Sequence, residues 1–343
     1  MSRLSRSALF TWVAAVAVAA IPAWELWRER LDAEELVRTH GEPTIYGLVC
    51  LYSAGPTLSP LTSLGRDLDV VIEVTAGWAV PALVVLVGLL ACLGHRDPAT
   101  TGRRVAGLLI FVAVVEPLVS LYRAPGECGG MISLLSADWF RAVAGAWGLN
   151  QVCLLTAAGL VLGASRATRP SREQERVPSP AGTAWRRPAA FLVDYLIVSV
   201  VLGVVVGPLW SEIGLGSGFR MGYGLLGRVD VFGSGVRPAE SAVLSGLFLY
   251  FWVQHALWGR TLGKRLMKVR VVAARTGGRL GAGKAVLRTL AFPLLAFVPG
   301  VGLLCILVDG LWMLLDPEGR VLHDRWLGAA VVRDGRKQAL PQA

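Results

Sequence analysis

The chain has 343 residues, of which 54% are hydrophobic and only 17% are charged. Soluble domains carry about a quarter charged residues, so this composition excludes a chain built only of soluble domains. The formal net charge of +10 would suggest nucleic acid as the partner of a soluble protein. The positions of the positive residues along the chain decide whether nucleic acid or another feature explains this charge.

Apolar residues are concentrated in seven blocks separated by polar stretches. Six blocks are close to the ~20 residues that a membrane-spanning helix needs, and the seventh is longer. We therefore expect an all-α polytopic integral membrane protein with about seven or eight transmembrane or re-entrant helices. The blocks cover residues 8–27, 76–94, 105–122, 142–164, 189–210, 239–258 and 285–315.

The first block has two interpretations. Arg3 and Arg6 precede an apolar run that contains the small-residue stretch AVAVAAIPA, which is the pattern of a cleavable signal peptide. The run continues to Trp27, which is long for such a signal. We favour an uncleaved membrane anchor and keep the signal peptide as the alternative, since either leaves the later topology unchanged.

The positive residues follow the predicted topology. With the N-terminus inside, 25 of the 34 Lys and Arg residues fall in cytoplasmic segments and the other 9 fall in three outer loops. This asymmetry is what the positive-inside rule predicts. The excess of positive charge is therefore explained by the membrane topology. We expect both termini to be cytoplasmic, the lipid bilayer to be the partner, and no binding of nucleic acid.

The blocks divide into two membrane modules. Residues 1–165 form a four-helix module with an acidic outer loop at 28–75. Residues 166–184 are rich in Pro, Ser and charge, which is typical of a flexible cytoplasmic linker. Residues 185–335 form the second module, and 336–343 are a basic polar tail.

The long block at 285–315 could cross the membrane once or fold back. Its middle contains Pro299, Gly300 and Gly302, a composition typical of a turn. A hairpin of two short helices would return the basic tail to the cytoplasm, whereas a single crossing would place it outside. We favour the hairpin.

The five cysteines suggest at most one disulfide. Cys92, Cys153 and Cys305 lie in apolar blocks, where a thiol packs as a small hydrophobic group. Cys50 and Cys128 both lie in predicted outer loops, where an oxidising exterior would let them pair. We predict a Cys50–Cys128 disulfide, with two free thiols as the alternative.

Two glycine-lysine motifs resemble phosphate-binding loops but lack essential parts. A P-loop reads G-x-x-x-x-G-K-[ST], and its hydroxyl binds Mg²⁺. The stretch GRTLGKRLMKVRVV at 259–272 lacks the spacing, and GRLGAGKA at 278–285 has Ala285 in place of the hydroxyl. Neither motif is expected to bind a nucleotide.

The first motif is better explained by its position after a membrane helix. Gly259 permits a tight exit turn, after which Lys264, Arg265 and Lys268 can lie at lipid headgroups. Each is worth about 1 kcal/mol near an anionic surface. Residues 269–273 and 329–332 read as short strands that could pair, which predicts a small cytoplasmic β platform.

Three separated motifs together resemble the RDD family, bacterial membrane proteins named for an arginine and two aspartates. They are RPAAFLVD at 187–194, the 259–272 stretch, and LHDRWLGAAVV at 322–332. The resemblance covers about 185–333 and implies that Arg187, Asp194 and Asp324 are the family's arginine and aspartates. It also implies a bacterial cell membrane and a part in transport, without naming the ligand.

Two positions depart from the pattern of that family. Lys268 stands where a glycine is usual, which bears on the local turn. Ala329 stands where a threonine is usual, which bears on a hydroxyl contact.

Ionisable residues inside the apolar blocks are the candidate pathway residues: Asp194, Asp309, Glu116 and His255. A charged group at the bilayer centre costs roughly 2.5–3.5 kcal/mol on insertion scales, so each is a functional hypothesis by default. Together they could line a cation or proton pathway. Alternatively, Asp194 caps or pairs with a neighbouring helix and holds the module together.

These observations support two functions of different classes. The first is transport of a small monovalent cation or protons through intramembrane carboxylates. The alternative is a non-transporting scaffold or lipid-interacting accessory protein that uses the basic platform on anionic headgroups. We do not expect an enzyme, a cofactor or a metal site, because no nucleophile–base arrangement, cofactor fingerprint or ligand spacing is present in the sequence.

Overall fold

The computed structural model describes residues 4–40, 71–94, 97–124, 132, 135–167, 183–201, 238–296 and 302–333. This part of the chain is mostly helical and contains one two-stranded sheet. The predicted helical class and the small β platform are therefore both confirmed.

The N-terminal region, residues 4–167, contains six helices within its described residues. They are α1 Arg6–His40, α2 Val71–Gly77, α3 Val80–Leu93, α4 Pro98–Val119, α5 Ala137–Gly145 and α6 Leu149–Ala167.

Two of the predicted spans are bent rather than straight. α2 and α3 meet at 58°, as do α5 and α6. The first bend falls at Ala79, whose φ of 51° is left-handed, with a proline at the start of α3. Proline cannot continue a preceding helix, which accounts for a break at this point.

The first helix is longer than its apolar block. α1 continues to His40, through residues that were predicted to be the start of an outer loop. This extension is rich in Leu, Glu and Arg, which are good helix formers. The extension contacts α2 through Arg30, which pairs with Glu73 at 2.7 Å, and Trp27 at the end of the block donates from Nε1 to the carbonyl of Gly77 at 2.8 Å.

By length and composition, one helix among the described residues, α1, is able to cross a membrane. The number rises to three if each bent pair is a single span. The predicted seven or eight membrane helices therefore stay a prediction.

The core of the N-terminal region is apolar, and small residues lie where its helices approach most closely. Trp12, Val85 and Leu154 are fully or almost fully buried in it. A Cβ on Gly88 would lie 2.5 Å from Val105 Cγ2, and one on Gly102 would lie 1.7 Å from Ser165 Oγ. Helices that lack side chains at their crossing can approach closely, as small residues permit in membrane proteins.

The C-terminal region, residues 183–333, is built from shorter elements. They are α7 Arg186–Val201, α8 Pro238–Trp258, α9 Leu262–Leu266, β1 Val269–Ala273, α10 Ala282–Ala296, α11 Gly302–Leu315, α12 Leu322–Leu327 and β2 Ala329–Arg333.

The β platform forms as predicted. β1 and β2 pair antiparallel with Val271 opposite Val331. Gly259, at φ +66°, makes the exit turn of α8, and its carbonyl accepts from Val271 N at 2.8 Å. After β1 the chain turns back, with Ala273 N donating to the carbonyl of Gly278 at 3.0 Å.

The long apolar block at 285–315 falls in two helices rather than one. α10 and α11 pack against each other, an arrangement that agrees with the hairpin. The proposed turn at Pro299-Gly300 lies outside the described residues, as do Cys50 and Cys128 of the predicted disulfide.

A buried arginine of the N-terminal region contacts the C-terminal region, in addition to apolar packing between them. Arg104 of α4 is buried, and its guanidinium donates to the carbonyls of Met313 and Asp316 at 3.0 Å and of Pro317 at 3.1 Å. These carbonyls end α11, where unpaired acceptors favour a cation. Gly319, at φ +68°, leaves room for it, because a Cβ there would lie 2.8 Å from Arg104 Nη2.

Candidate functional site: a buried polar network in the C-terminal region

The Asp194 cluster ties three helices together. The carboxylate of Asp194 is almost fully buried in α7. It accepts hydrogen bonds from the hydroxyl of Tyr250 at 2.8 Å, from the hydroxyl of Thr261, and from Gly263 N at 2.8 Å. A buried carboxylate that accepts three donors is well satisfied. The cluster therefore anchors α8 and α9 onto α7.

The local sequence explains why α9 comes so close to α7. Thr261 is the N-cap of α9, and its hydroxyl accepts from Lys264 N at 3.3 Å while donating to Asp194. A Cβ on Gly263 would lie 2.1 Å from the carbonyl oxygen of Ala190. Only glycine permits this backbone approach, so the second glycine of the GRTLGK stretch is a packing requirement.

The Asp324 cluster contains Arg187 and Asp324, the other two residues that the resemblance implies. Asp324 is fully buried; its Oδ1 lies 2.7 Å from Arg288 Nε and its Oδ2 lies 3.5 Å from Arg187 Nη1. Arg187 of α7 therefore pairs with Asp324 of α12.

The two arginines determine the protonation of Asp324. Burial by itself would raise the pKa of this carboxyl group, but the guanidinium groups of Arg288 and Arg187 outweigh it. As a result the pKa of Asp324 lies below its usual range, and the group is ionised at neutral pH.

Contacts continue from Asp324 in two directions. His323 Nε2 lies 3.5 Å from Asp324 Oδ1, and His323 Nδ1 lies 2.8 Å from Asp309 Oδ2. On the other side, Arg288 Nη1 lies 3.3 Å from His255 Nε2. Two of the predicted pathway residues, Asp309 and His255, thus belong to one buried polar network, which runs through the Asp324 cluster.

Lys264 faces into this network instead of toward lipid headgroups. Its Nζ contacts His255 Nε2. Burial, and then the nearby charge of Arg288, lower the pKa of Lys264 well below its usual value. Arg265 and Lys268 are exposed, as the headgroup prediction requires, and Arg265 lies 5.2 Å over the ring of Trp258.

Glu116 is separate from the network. It lies in α4 of the N-terminal region, where its carboxylate accepts from the side chain of Asn150, with Gln151 Nε2 at 3.5 Å. The four predicted pathway residues therefore do not form one site. Asp309 and His255 share the network, Asp194 forms its own cluster beside it, and Glu116 binds α6.

Sequence reasoning missed several members of the site. Tyr250, Thr261, Arg288 and His323 were not singled out, although each donates to or contacts one of the predicted aspartates or His255. A signal existed for Thr261, since a threonine after a glycine turn and before a basic helical stretch fits an N-cap. The other three depend on contacts between distant elements.

Among the described residues, no group of three or more His, Cys, Asp or Glu side chains is arranged to hold a metal ion. The acidic groups of the network contact arginine, histidine or hydroxyl donors instead. The site is an arrangement of charge-assisted hydrogen bonds.

Apolar helices carrying a buried arginine–aspartate network define a helical, membrane-associated class of protein. Residues 181–328 match the model of the RDD family. The resemblance inferred from three motifs is thereby confirmed over this segment, which contains Arg187, Asp194 and Asp324. The comparisons with curated proteins and with solved structures gave no match.

Proposed function

We propose that this protein is a multi-pass protein of the bacterial cell membrane that transports a small monovalent cation or protons. The observation that carries the proposal is the buried chain of contacts from His255 through Arg288, Asp324 and His323 to Asp309. Ionisable groups grouped in this way inside an apolar helical protein mark proton and ion pathways.

The residues of this chain have different chemical roles. Histidine and aspartate can take up and release protons near neutral pH when their surroundings are tuned, whereas arginine keeps its charge. His323 with Asp309 is the pair best suited to exchange a proton, at 2.8 Å. Arg288 and Asp324 supply fixed charges next to that pair.

Asp194 fits a positioning role better than a cation-binding role. Both of its oxygens accept from protein donors, which leaves little capacity to coordinate an ion. By holding α9 it also positions Lys264 beside His255.

The test is flux into proteoliposomes under an imposed pH gradient. The native protein should move protons or a monovalent cation, and Asp309→Asn should lose that flux while keeping its melting temperature within a few degrees. Asp194→Asn should instead lower the melting temperature and leave the flux per folded molecule largely intact. Glu318→Gln is the matched control, since Glu318 is 57% exposed.

A second function has its own supporting observation. Large apolar side chains are exposed beside the platform strands: Leu266, which follows the exposed Arg265 in the sequence, is 64% exposed, and Trp326, three residues before β2, is 79% exposed. A surface of this kind suits the interface with anionic lipid. It supports a lipid-interacting accessory role, and absence of flux for protons and every common monovalent cation would favour that role over transport.

A further inference from the structure

The Asp324 cluster contains more buried positive charge than negative charge. Arg187 and Arg288 both rely on the single carboxylate of Asp324. Among the described residues, Lys264 has no carboxylate within 4.0 Å, and its Nζ contacts only the ring of His255. Three basic side chains are therefore grouped around the single carboxylate of Asp324.

His255 does not supply negative charge. Its Nε2 lies against two cationic donors, Lys264 Nζ and Arg288 Nη1, so this nitrogen accepts and the ring is neutral. Asp309 is bonded to His323, and Asp194 to its own three donors. Buried charge without a counterion is unfavourable, so a further anionic group would stabilise this cluster.

Arg187 presents the donors that such a group needs. Its Nε and Nη2 are both buried and have no hydrogen-bond partner among the described residues, while Nη1 on the other side reaches Asp324. Nε and Nη2 form one edge of the guanidinium, with two nearly parallel N–H bonds. This edge matches two oxygens of a phosphate group.

We propose that Arg187, Arg288 and Lys264 form a binding site for a phosphate-type oxyanion, held mainly by the Nε–Nη2 edge of Arg187. The repulsion from Asp324 is reduced, because Arg288 Nε lies 2.7 Å from that carboxylate. The same chemistry belongs to free inorganic phosphate and to the headgroup of an anionic phospholipid. The site does not depend on transport, and it is tested by binding.

The experiment uses the full chain in detergent and follows thermal unfolding. Inorganic phosphate is titrated while chloride keeps the ionic strength constant. Phosphate should raise the unfolding temperature and the effect should saturate. Arg187→Lys keeps the charge but removes the edge, and it should weaken phosphate binding roughly 10- to 100-fold, as expected for lost charge-assisted hydrogen bonds.

A second variant covers the case in which Arg187→Lys does not fold. Lys264→Met removes a buried charge that has no carboxylate partner among the described residues, so it should fold and still bind phosphate more weakly. The matched control is Arg279→Gln, which removes a positive charge from an exposed position of the same region and should bind phosphate like the native protein.

Lipid nanodiscs distinguish a phospholipid headgroup from free inorganic phosphate as the bound group. Unfolding is compared in phosphatidylcholine discs with and without phosphatidylglycerol. Stabilisation by phosphatidylglycerol that Lys264→Met loses, and that inorganic phosphate does not reproduce, assigns the site to a lipid headgroup. Saturable stabilisation by inorganic phosphate alone assigns it to the free anion. No effect of either probe, or an equal loss in Arg279→Gln, would overturn the proposal.

Discussion

The two regions of this chain bury different kinds of side chain. The N-terminal region packs helices through residues such as Trp12, Ala15 and Leu154, with glycines at the closest approaches. The C-terminal region has an apolar cluster around its sheet and in addition buries charged and hydroxyl groups, with Asp194 and Asp324 each at most 1% exposed.

This difference is the one that the proposed packing of these helices in lipid would produce. Lipid chains are as apolar as leucine, so apolar helix contacts gain little from leaving lipid and depend on close fit. Buried polar groups have no alternative partner in lipid and must be bonded within the protein. We therefore expect the stability of the N-terminal region to depend on the volume of its buried side chains. The stability of the C-terminal region should depend on keeping each buried hydrogen-bond partner.

The largest expected effect is at Gly263, where the polar region also depends on close fit of the backbone. Gly263→Ala would place a Cβ 2.1 Å from the backbone oxygen of Ala190, which cannot move without displacing α7. We expect a loss of about 3 kcal/mol or more in the free energy of unfolding, or no folded protein. Denaturant unfolding in detergent measures it.

The matched control for this substitution is in the same region. Gly310 lies inside α11 and a Cβ there meets nothing within 4 Å. Gly310→Ala should stabilise by roughly 0.5–1 kcal/mol, because alanine loses less entropy in a helix. Equal destabilisation by both substitutions would contradict the close approach of α9 to α7.

The next effect concerns the contact between the regions. Arg104→Met removes donors to three carbonyls at the end of α11. We expect a loss of roughly 3 kcal/mol and faster amide exchange in the last turn of α11, because those carbonyls stay buried without their cation. Arg103→Met is the control, since Arg103 is exposed, and it should change stability by no more than about 0.5 kcal/mol.

An intermediate effect follows from the titration of Lys264. Burial, and then the charge of Arg288, lower the pKa of Lys264 in the folded protein. At a pH between this pKa and the pKa of Lys264 in the unfolded chain, the unfolded chain therefore binds more protons than the folded protein. In the absence of an added oxyanion, stability should rise with pH across this window and be complete above about pH 10.4, the ordinary lysine pKa.

Lys264→Met should remove that part of the pH dependence and raise stability at neutral pH. Unfolding midpoints measured from neutral to alkaline pH for both proteins provide the comparison. An unchanged pH profile in the variant would show that Lys264 is not the titrating group.

The smallest effect tests a departure from the family pattern. Lys268 has φ +55°, a left-handed conformation that glycine adopts without cost, and the turn forms although glycine is missing. Lys268→Gly should stabilise the chain by about 1 kcal/mol. Lys268→Ala is the control for the lost charge and should give no such gain, because alanine keeps the strain.

Much of the fold could be predicted from the sequence, because composition and local pattern determine it. The apolar blocks predicted where the helices lie. The bends and the extension of α1 were not predicted, and they arise from helix-breaking residues and from helix-forming residues, respectively. The strands and the turn at Gly259 were also predictable from the residues next to them in the sequence.

Only the tertiary structure decided which polar groups meet. Asp194 binds Tyr250, Thr261 and Gly263, which lie 56 to 69 positions away, and Lys264 turns inward to His255 instead of outward to lipid. The physical reason is that a partner depends on how each helix is rotated and where it crosses its neighbours. Those quantities come from packing between distant segments, whereas length, composition and spacing are properties of one segment at a time.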